Sequence, residues 1–422
     1  AVLRSSLREF IASEFMAAVG VPTSRALSLA ASETPNVVRD QFYDGNHQQE
    51  PGAIVLRMAP TWIRFGTFEI FASRSDWGAV KQLADFVIAH FYADLQAVEG
   101  CRYKALLVEV ARRTGVLFAR WQSIGFVHGV LNTDNMSILG ITIDYGPFAF
   151  LDAFDPTFTP NTSDDEARYN FLSQPDIGAW NVERLGMALT GILAGDQAEV
   201  SGAASEAVAV YAEAMRGEYR ENMLGRLRIR GSLPQEEADG LVQVLMVWMS
   251  KVQPDTHNTL SAMAALQQRW QDAANAGVTQ EEEEATRTET DANFVLGHAN
   301  VAGTVGPEEV EELEQWLQRL KQVVLREVAQ EWADGGRGAI EVSEGRLWGL
   351  QLADVLYVPR NYLMHEAIEA AATGDLEPLQ QLKQAMLSPR TRLEPASAHD
   401  KMASPPPAWA ERRGVKQLSC SS

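Results

Sequence analysis

The first hydrophobic pattern in the chain has the spacing of an amphipathic helix. Ser6 followed by Glu9 has the form of a capping box, which predicts the start of this helix and would account for Glu9. The Gly-Val-Pro run at 20–22 predicts its end. Glu14 falls on the apolar face, where an unpaired carboxylate is unusual. The apolar face is formed by Leu7, Phe10, Ile11, Phe15, Ala18 and Val19.

The pattern then indicates strands, followed by a long helical region. Residues 53–58 and 62–71 are rich in strand-forming residues and contain Arg57 and Arg64. The sequence therefore predicts an α+β protein whose C-terminal part is mainly helical. Helical spacing of apolar residues covers 77–121, 177–270, 308–332 and 361–386.

Irregular segments separate these elements. Residues 124–150 contain short apolar runs broken by His, Asn, Asp and Gly, and residues 152–165 read as a loop dense in Asp, Pro, Thr and Asn. The run of glutamates at 281–284 predicts a solvated linker or insertion.

Composition narrows the classes of function. In 422 residues, 36 Lys and Arg stand against 56 Asp and Glu, and a net charge of −20 argues against a nucleic-acid surface. This net charge does not exclude a local basic pocket. Two cysteines without a CxxC pattern exclude disulfide scaffolds and cysteine–zinc sites. The apolar stretches are far shorter than the ~20 residues of a membrane span, and no signal peptide is visible, so we expect neither membrane insertion nor secretion.

The segment from His128 to Gly146 carries the candidate chemistry. Magnesium prefers hard oxygen ligands and, with ATP, takes one or two protein side chains plus phosphate oxygens. Asn135 and Asp144 supply such ligands and are separated by an apolar run about the length of a tight hairpin. Protein kinases use H-R-D-x-x-x-x-N followed by D-F-G. His128, Asn135 and Asp144 fit that frame, with Tyr145 in the Phe position.

One position breaks the kinase frame. Val130 stands where a kinase has its catalytic aspartate, and valine cannot accept a proton. Asp134 is the nearby carboxylate that could act as the base instead. The sequence thus predicts a kinase-like site with altered phosphoryl-transfer machinery, and such a fold can host another transfer at the same nucleotide.

Each candidate also has an ordinary structural interpretation. Residues 144–146 alone would more often form a turn, and His128 alone would more often be a hydrogen-bonded core histidine. Arg57 and Arg64 would usually be surface residues of strands. These interpretations lose weight only because the residues occur together at the kinase spacing.

Three runs are long enough to identify a family. They are residues 4–10 (Arg-Ser-Ser-Leu-Arg-Glu-Phe), 63–69 (Ile-Arg-Phe-Gly-Thr-Phe-Glu) and 128–138 (His-Gly-Val-Leu-Asn-Thr-Asp-Asn-Met-Ser-Ile). Together with shorter runs they resemble the selenoprotein O family, known in bacteria as YdiU, over almost the whole chain. The shorter runs lie at 144–148, 174–175, 180–181, 360–363, 405–409 and 420–422.

The resemblance implies a two-lobed protein-kinase-like fold with a large helical C-terminal region. It implies transfer of AMP from ATP, bound in reverse, to Ser, Thr or Tyr hydroxyls of target proteins, with release of pyrophosphate. By position, Asn135 and Asp144 would hold Mg²⁺, and Asp134 would be the proton acceptor. Arg57 and Arg64 would bind the ATP phosphates.

The resemblance also implies that Glu9 pairs with a phosphate-contacting lysine. Glu14 is the second choice, because it is the carboxylate on the apolar face of the helix. The family carries this lysine and a glycine-rich region upstream of the run that begins at Ala1. The chain is therefore expected to be part of a longer protein, with an incomplete small lobe and an exposed, apolar sheet. Glu9 is expected to lack its partner, and residues 1–422 alone are expected to be inactive.

Four regions are expected on this basis. They are the rest of the small lobe (1–75), the large lobe with the active site (76–275), an acidic linker or insertion (276–305), and a helical extension with a tail (306–422). Cys420 takes the place of a selenocysteine found in some eukaryotic members, and an exposed thiol there could be under redox control.

The expected partners are ATP and proteins that carry hydroxyl side chains, and the protein is expected to be a monomer. The compartment would be mitochondrial in a eukaryote and cytoplasmic in a bacterium. Two other functions stay open: a phosphotransferase, and an inactive nucleotide-binding scaffold.

Overall fold

The computed structural model describes residues 1–40, 45, 47–98, 102–193, 197–231, 233–286, 288–301, 303–333 and 342–419. Cys101 and Cys420 lie outside these residues, so redox control through Cys420 stays a prediction. The helices are α1 (Leu3–Ala18), α2 (Phe65–Ser73), α3 (Trp77–Phe91), α4 (Arg102–Ile124), α5 (Gln174–Leu189), α6 (Gln197–Arg226), α7 (Gln235–Val252), α8 (Thr256–Asn275), α9 (Gln280–Thr286), α10 (Asp291–Ala299), α11 (Pro307–Ala333), α12 (Glu344–Ala353), α13 (Asn361–Ala372), α14 (Glu377–Leu387) and α15 (Ala396–Ala403). The strands are β1 (Arg25–Asp40), β2 (His47–Met58), β3 (Phe126–Val127) and β4 (Ala149–Phe150).

The strands form two small antiparallel sheets, β1 with β2 and β3 with β4. This mixture of helices and small sheets confirms the predicted α+β class, while the kinase-like two-lobed arrangement and the four regions stay predictions. β1 was not predicted, because its many small and polar residues give no strong hydrophobic pattern. No helix in the ranges above is long and apolar enough to cross a membrane.

The predicted strand at 62–71 is wrong, because most of it forms α2. Phe65 and Phe68 are fully buried and stand three residues apart, which places both on one face of a helix. Their aromatic side chains favour strands in general, but burial on a single face decides the conformation here.

The predicted start of the first helix is also wrong. α1 begins at Leu3, after Val2, so Ser6 and Glu9 lie inside the helix and form no capping box. Helix α1 packs on the β1–β2 hairpin. The outer face of that hairpin is apolar and exposed, as expected, with Leu27, Ile54 and Leu56 each more than half exposed.

Two segments differ in detail from the expected pattern. The acidic run lies in the short helix α9, and the Glu283 carboxylate lies 2.7 Å from Nζ of the buried Lys321 in α11. Glu283 is therefore not solvated, while the role of the segment as a linker or insertion stays a prediction. The predicted helix at 361–386 is divided into α13 and α14, because Gly374 adopts a φ of +92° just after α13.

The core that supports the site joins the two ends of the chain. Residues of α1, α2, α4 and α5 share one hydrophobic cluster with residues of α12, α13 and α14. A second cluster lies among α7, α8, α10 and α11. The C-terminal helices are therefore part of the structure that holds α1 in place.

Candidate active site

Glu9 of α1, Arg57 of β2 and Asp144 meet at one point. Nη1 of Arg57 lies 2.8 Å from Glu9 Oε1 and 3.3 Å from Asp144 Oδ1, and it donates to the Ile143 carbonyl oxygen at 3.0 Å. All three contacts use the Nη1 atom. Within the described ranges, the N–H groups of Nε and Nη2 of Arg57 therefore remain free to donate hydrogen bonds. The guanidinium lies over Trp62, 4.9 Å from the ring centroid.

Glu9 is buried and fully paired. Its second oxygen, Oε2, accepts a hydrogen bond from the Tyr145 backbone N–H at 3.1 Å. Burial raises the pKa of Glu9 to about 7, while Arg57 opposes the rise and Asp144 adds to it. The expectation that Glu9 would lack a partner is wrong, because Glu9 pairs with Arg57.

The second-choice carboxylate, Glu14, is not part of this cluster. Its two oxygens accept hydrogen bonds from the Arg25 guanidinium at 2.9 and 2.6 Å. The hydrogen bonds from Arg25 lower the pKa of Glu14. Glu14 therefore joins α1 to β1, and of these two carboxylates it is Glu9 that lies beside Arg57 and Asp144.

A cavity of about 380 Å³ opens beside the cluster. Residues 53–55 of β2 form a mainly apolar wall, and Glu9, Arg57 and Asp144 form an ionic one. A ligand that combines a flat ring system with charged groups suits such a pair of walls.

Asn135 and Asp144 lie at the same end of a tight antiparallel turn. Met136 pairs with Thr142 across this turn, as the length of the apolar run predicted. Asn135 Nδ2 donates to the Val130 carbonyl oxygen at 2.8 Å, which leaves the amide oxygen as the free ligand atom. The Asp144 side chain is 38% exposed.

These two side chains fit a magnesium ion that also binds phosphate. Both offer hard oxygen atoms, and ATP-bound Mg²⁺ commonly takes only one or two protein ligands. In the described part of the chain, no group of three or more His, Cys, Asp or Glu side chains could hold a metal by itself. An ion here would therefore depend on ligand oxygens as well as on Asn135 and Asp144.

Asp134 lies in the loop formed by residues 128–135, and Arg64 lies where this loop meets the start of α2. Asp134 is exposed in the short 3₁₀ turn Thr133–Asn135. Arg64 directly precedes α2, and its backbone forms a bridge with Ser137. Among the described residues, no carboxylate forms an ion pair with the half-buried Arg64 side chain, so its charge is available to an anion.

His128 has the structural role that its burial suggests. It is 1% exposed, its Nδ1 accepts from the Val130 N–H at 3.4 Å, and burial lowers its pKa to about 4. The imidazole is therefore neutral at ordinary pH. It packs beside Trp121 and Phe126 beneath the loop that carries Asp134.

Helix α5 holds that loop by two buried amide side chains. Gln174 accepts from the His128 N–H at 2.8 Å and donates to the Phe126 carbonyl at 2.9 Å. Asn181 donates to the Leu131 carbonyl at 2.9 Å. Both residues lie in the short runs that carried the resemblance, although the sequence analysis assigned them no role.

Arg8 is a further residue that the sequence reasoning missed. It is buried, and it donates to the Phe148 carbonyl at 2.5 Å and to Asn361 Oδ1 at 3.1 Å. Asn361 in turn donates to the Lys416 carbonyl at 3.0 Å. Arg8 thus joins α1, the segment after Asp144 and the C-terminal tail. The sequence feature that could have identified Arg8 is its position beside Glu9 in the 4–10 run.

Comparison with known proteins identifies the family. The family model described as "Protein adenylyltransferase SelO" matches residues 1–387. The chain is 38% identical to the protein nucleotidyltransferase YdiU of Xanthomonas campestris pv. campestris, and the match covers 100% of this chain and 74% of the relative. The YdiU proteins of Xanthomonas oryzae pv. oryzae and Xanthomonas axonopodis pv. citri match with the same identity and coverage.

The chain is therefore an enzyme of the nucleotidyltransferase class. It belongs to the SelO/YdiU family. These relatives are bacterial, so they give no support to the mitochondrial alternative.

Proposed function

We propose that this protein transfers AMP from ATP to Ser, Thr or Tyr hydroxyls of target proteins. The observation that carries the proposal is the position of Arg57, whose Nη1 bonds Glu9 and Asp144 while Nε and Nη2 stay free beside the cavity. A guanidinium held in this way can bind phosphate oxygens in bidentate fashion. Arg64 would supply a second cation to the same phosphates.

In the proposed transfer, one bond forms at the α-phosphorus of ATP and one bond breaks. The target hydroxyl oxygen forms a bond to the α-phosphorus of ATP, and the bond from that phosphorus to the bridging oxygen breaks to release pyrophosphate. Asp134 would take the hydroxyl proton, since it is an exposed carboxylate in the loop that adjoins Asn135. Glu9 would hold Arg57 rather than act on the substrate.

Magnesium would be held by Asn135 and Asp144 together with ATP oxygens. When bound, it would neutralise phosphate charge and orient the triphosphate. ATP in the reversed orientation would direct its terminal phosphates toward Arg57 and Arg64. The relatives named above make the bacterial cytoplasm the compartment that we propose, with a monomer acting on protein targets.

A phosphotransferase is the second candidate, since the site retains the kinase frame. Val130 is evidence against a phosphotransferase. The half-buried valine side chain cannot act as a base, and its carbonyl oxygen accepts a hydrogen bond from Asn135. Replacing Val130 by Asp should not by itself create a kinase, since the nucleotide would still lie in the reversed orientation.

The deciding experiment uses ATP labelled at either the α- or the γ-phosphate. The protein, expressed from its complete reading frame, is incubated with Mg²⁺, labelled ATP and a mixture of target proteins. Label from the α-phosphate on protein supports AMP transfer, and label from the γ-phosphate alone shows phosphoryl transfer. Binding of ATP without any labelled protein would favour an inactive scaffold.

A further inference from the structure

The start of α2 and the loop around Asp134 are joined by hydrogen bonds. The Phe65 N–H donates to the Met136 carbonyl at 2.9 Å, and the Ile138 N–H donates to the Ile63 carbonyl at 3.1 Å. On the same side, the Thr133 hydroxyl donates to the Glu69 carboxylate. The loop is thus bonded to α2 both before and after Asp134.

Gly66, the second residue of α2, lies directly against the Asp134 carboxylate. A Cβ placed on Gly66 would be 2.1 Å from Asp134 Oδ1 and 3.2 Å from Cγ. Cβ atoms in proteins essentially never come within 3.0 Å of another heavy atom, so Oδ1 would have to move by about 1 Å. The carboxylate therefore occupies the space that any side chain at position 66 would fill.

The conflict is limited to the end of the Asp134 side chain. The Asp134 Cα would lie 3.6 Å from the added Cβ, which is an ordinary contact. A methyl group at position 66 therefore requires no shift of the loop backbone. Alanine also has a higher helix propensity than glycine, so the helix loses nothing.

We propose that Gly66 is a positioning residue for AMP transfer, because its missing side chain sets where the Asp134 carboxylate lies relative to Arg64. This inference rests on the proposed function, in which Asp134 takes the proton and Arg64 binds phosphate. Since Arg64 directly precedes α2 and Gly66 is the second residue of that helix, the base and the phosphate site would keep a fixed separation.

The test compares Gly66→Ala with Gly78→Ala. Gly78 is also the second residue of its helix, α3, and a Cβ there would meet only Asp76 Oδ1 at 3.5 Å. Both variants should melt no lower than the parent and bind ATP with the parent's affinity. Only Gly66→Ala should lose turnover, by about 10- to 100-fold, because misplacement of a reacting group by about 1 Å has an effect of this size. Its KM for ATP should not change.

A crystal structure of Gly66→Ala should show the Asp134 carboxylate displaced with the loop backbone unmoved. Parental turnover in Gly66→Ala, in a protein that Asp134→Asn inactivates, would overturn the inference and leave the proposed function standing. Full activity of Asp134→Asn would overturn the role of Asp134, and the inference with it. A parent that places no α-phosphate label on any protein would overturn the proposed function itself.

Discussion

Arg57 reaches Glu9 across the space between β2 and α1 and forms an ion pair of 2.8 Å that is mostly buried. The same nitrogen reaches Asp144, so one guanidinium connects the helix, the sheet and the candidate metal ligand. Removing either carboxylate would leave Arg57 less constrained. The site therefore depends on charges that stabilise one another, so a variant at one of these residues also tests the others.

Replacement of Arg57 or Arg64 by Ala should weaken ATP binding by about tenfold or more each, since each loses charge-assisted hydrogen bonds to phosphate. Calorimetric titration with ATP and Mg²⁺ measures the change. Arg74→Ala is the matched control, because this exposed arginine follows the other end of α2. Unchanged affinity in both site variants would contradict the reversed-ATP orientation.

Replacement of Asp144 by Asn should lower Mg²⁺-dependent AMP transfer about a hundredfold or more, because an amide cannot neutralise the metal charge as a carboxylate does. The fold should persist, since Asp144 is partly exposed. Transfer rates measured against Mg²⁺ concentration, with Asp94→Asn as an exposed control, test this. A variant that labels targets as well as the parent would show that the metal site lies elsewhere.

Replacement of Arg8 by Ala should lower the free energy of unfolding by about 2–4 kcal/mol. Its loss leaves the Phe148 carbonyl and Asn361 Oδ1 without their donor and removes the packing of the guanidinium, 4.3 Å from the Phe148 ring centroid. The exposed Arg112 is the control, since its pair with Glu109 lies on the surface of α4 and should contribute at most about 1 kcal/mol. Urea unfolding of both variants gives the comparison, and equal losses would show that Arg8 is not structural.

The parts of the site that follow from local sequence were predicted. The Met136–Thr142 turn, which brings Asn135 and Asp144 to one end, follows from an apolar run of hairpin length between polar residues. The helical C-terminal region follows from the spacing of its apolar residues, because burial on one face imposes that period.

The parts that depend on long-range contacts were not predicted. Phe65 and Phe68 look like strand residues until the core that buries both is known. The partners of Glu9 and Glu14 lie on β2 and β1, and nothing local in the sequence of α1 indicates which arginine each carboxylate meets. Gly66 gives no pattern at all, because its significance is the space that it leaves for Asp134.

Glu9 and Glu14 should show opposite pH dependence of their contributions to stability, although both lie on α1. Burial raises the pKa of Glu9 from 4.5 to about 7. The folded protein therefore binds this proton more tightly than the unfolded chain, and the resulting stability is present below about pH 4.5 and lost as the pH rises to about 7. Hydrogen bonds from Arg25 lower the pKa of Glu14, so its contribution is present above pH 4.5 and lost as the pH falls.

The measurement is the free energy of unfolding in urea between about pH 4 and pH 8 for the parent, Glu9→Gln and Glu14→Gln. Relative to Glu9→Gln, the parent should lose stability as the pH rises through this range. Relative to Glu14→Gln, it should gain stability as the pH rises from its acid end. Each variant is the control for the other, because both remove one carboxylate from the same helix. Two difference curves of the same sign would contradict the raised pKa of Glu9, and would show that the attraction of Arg57 outweighs burial and the repulsion of Asp144.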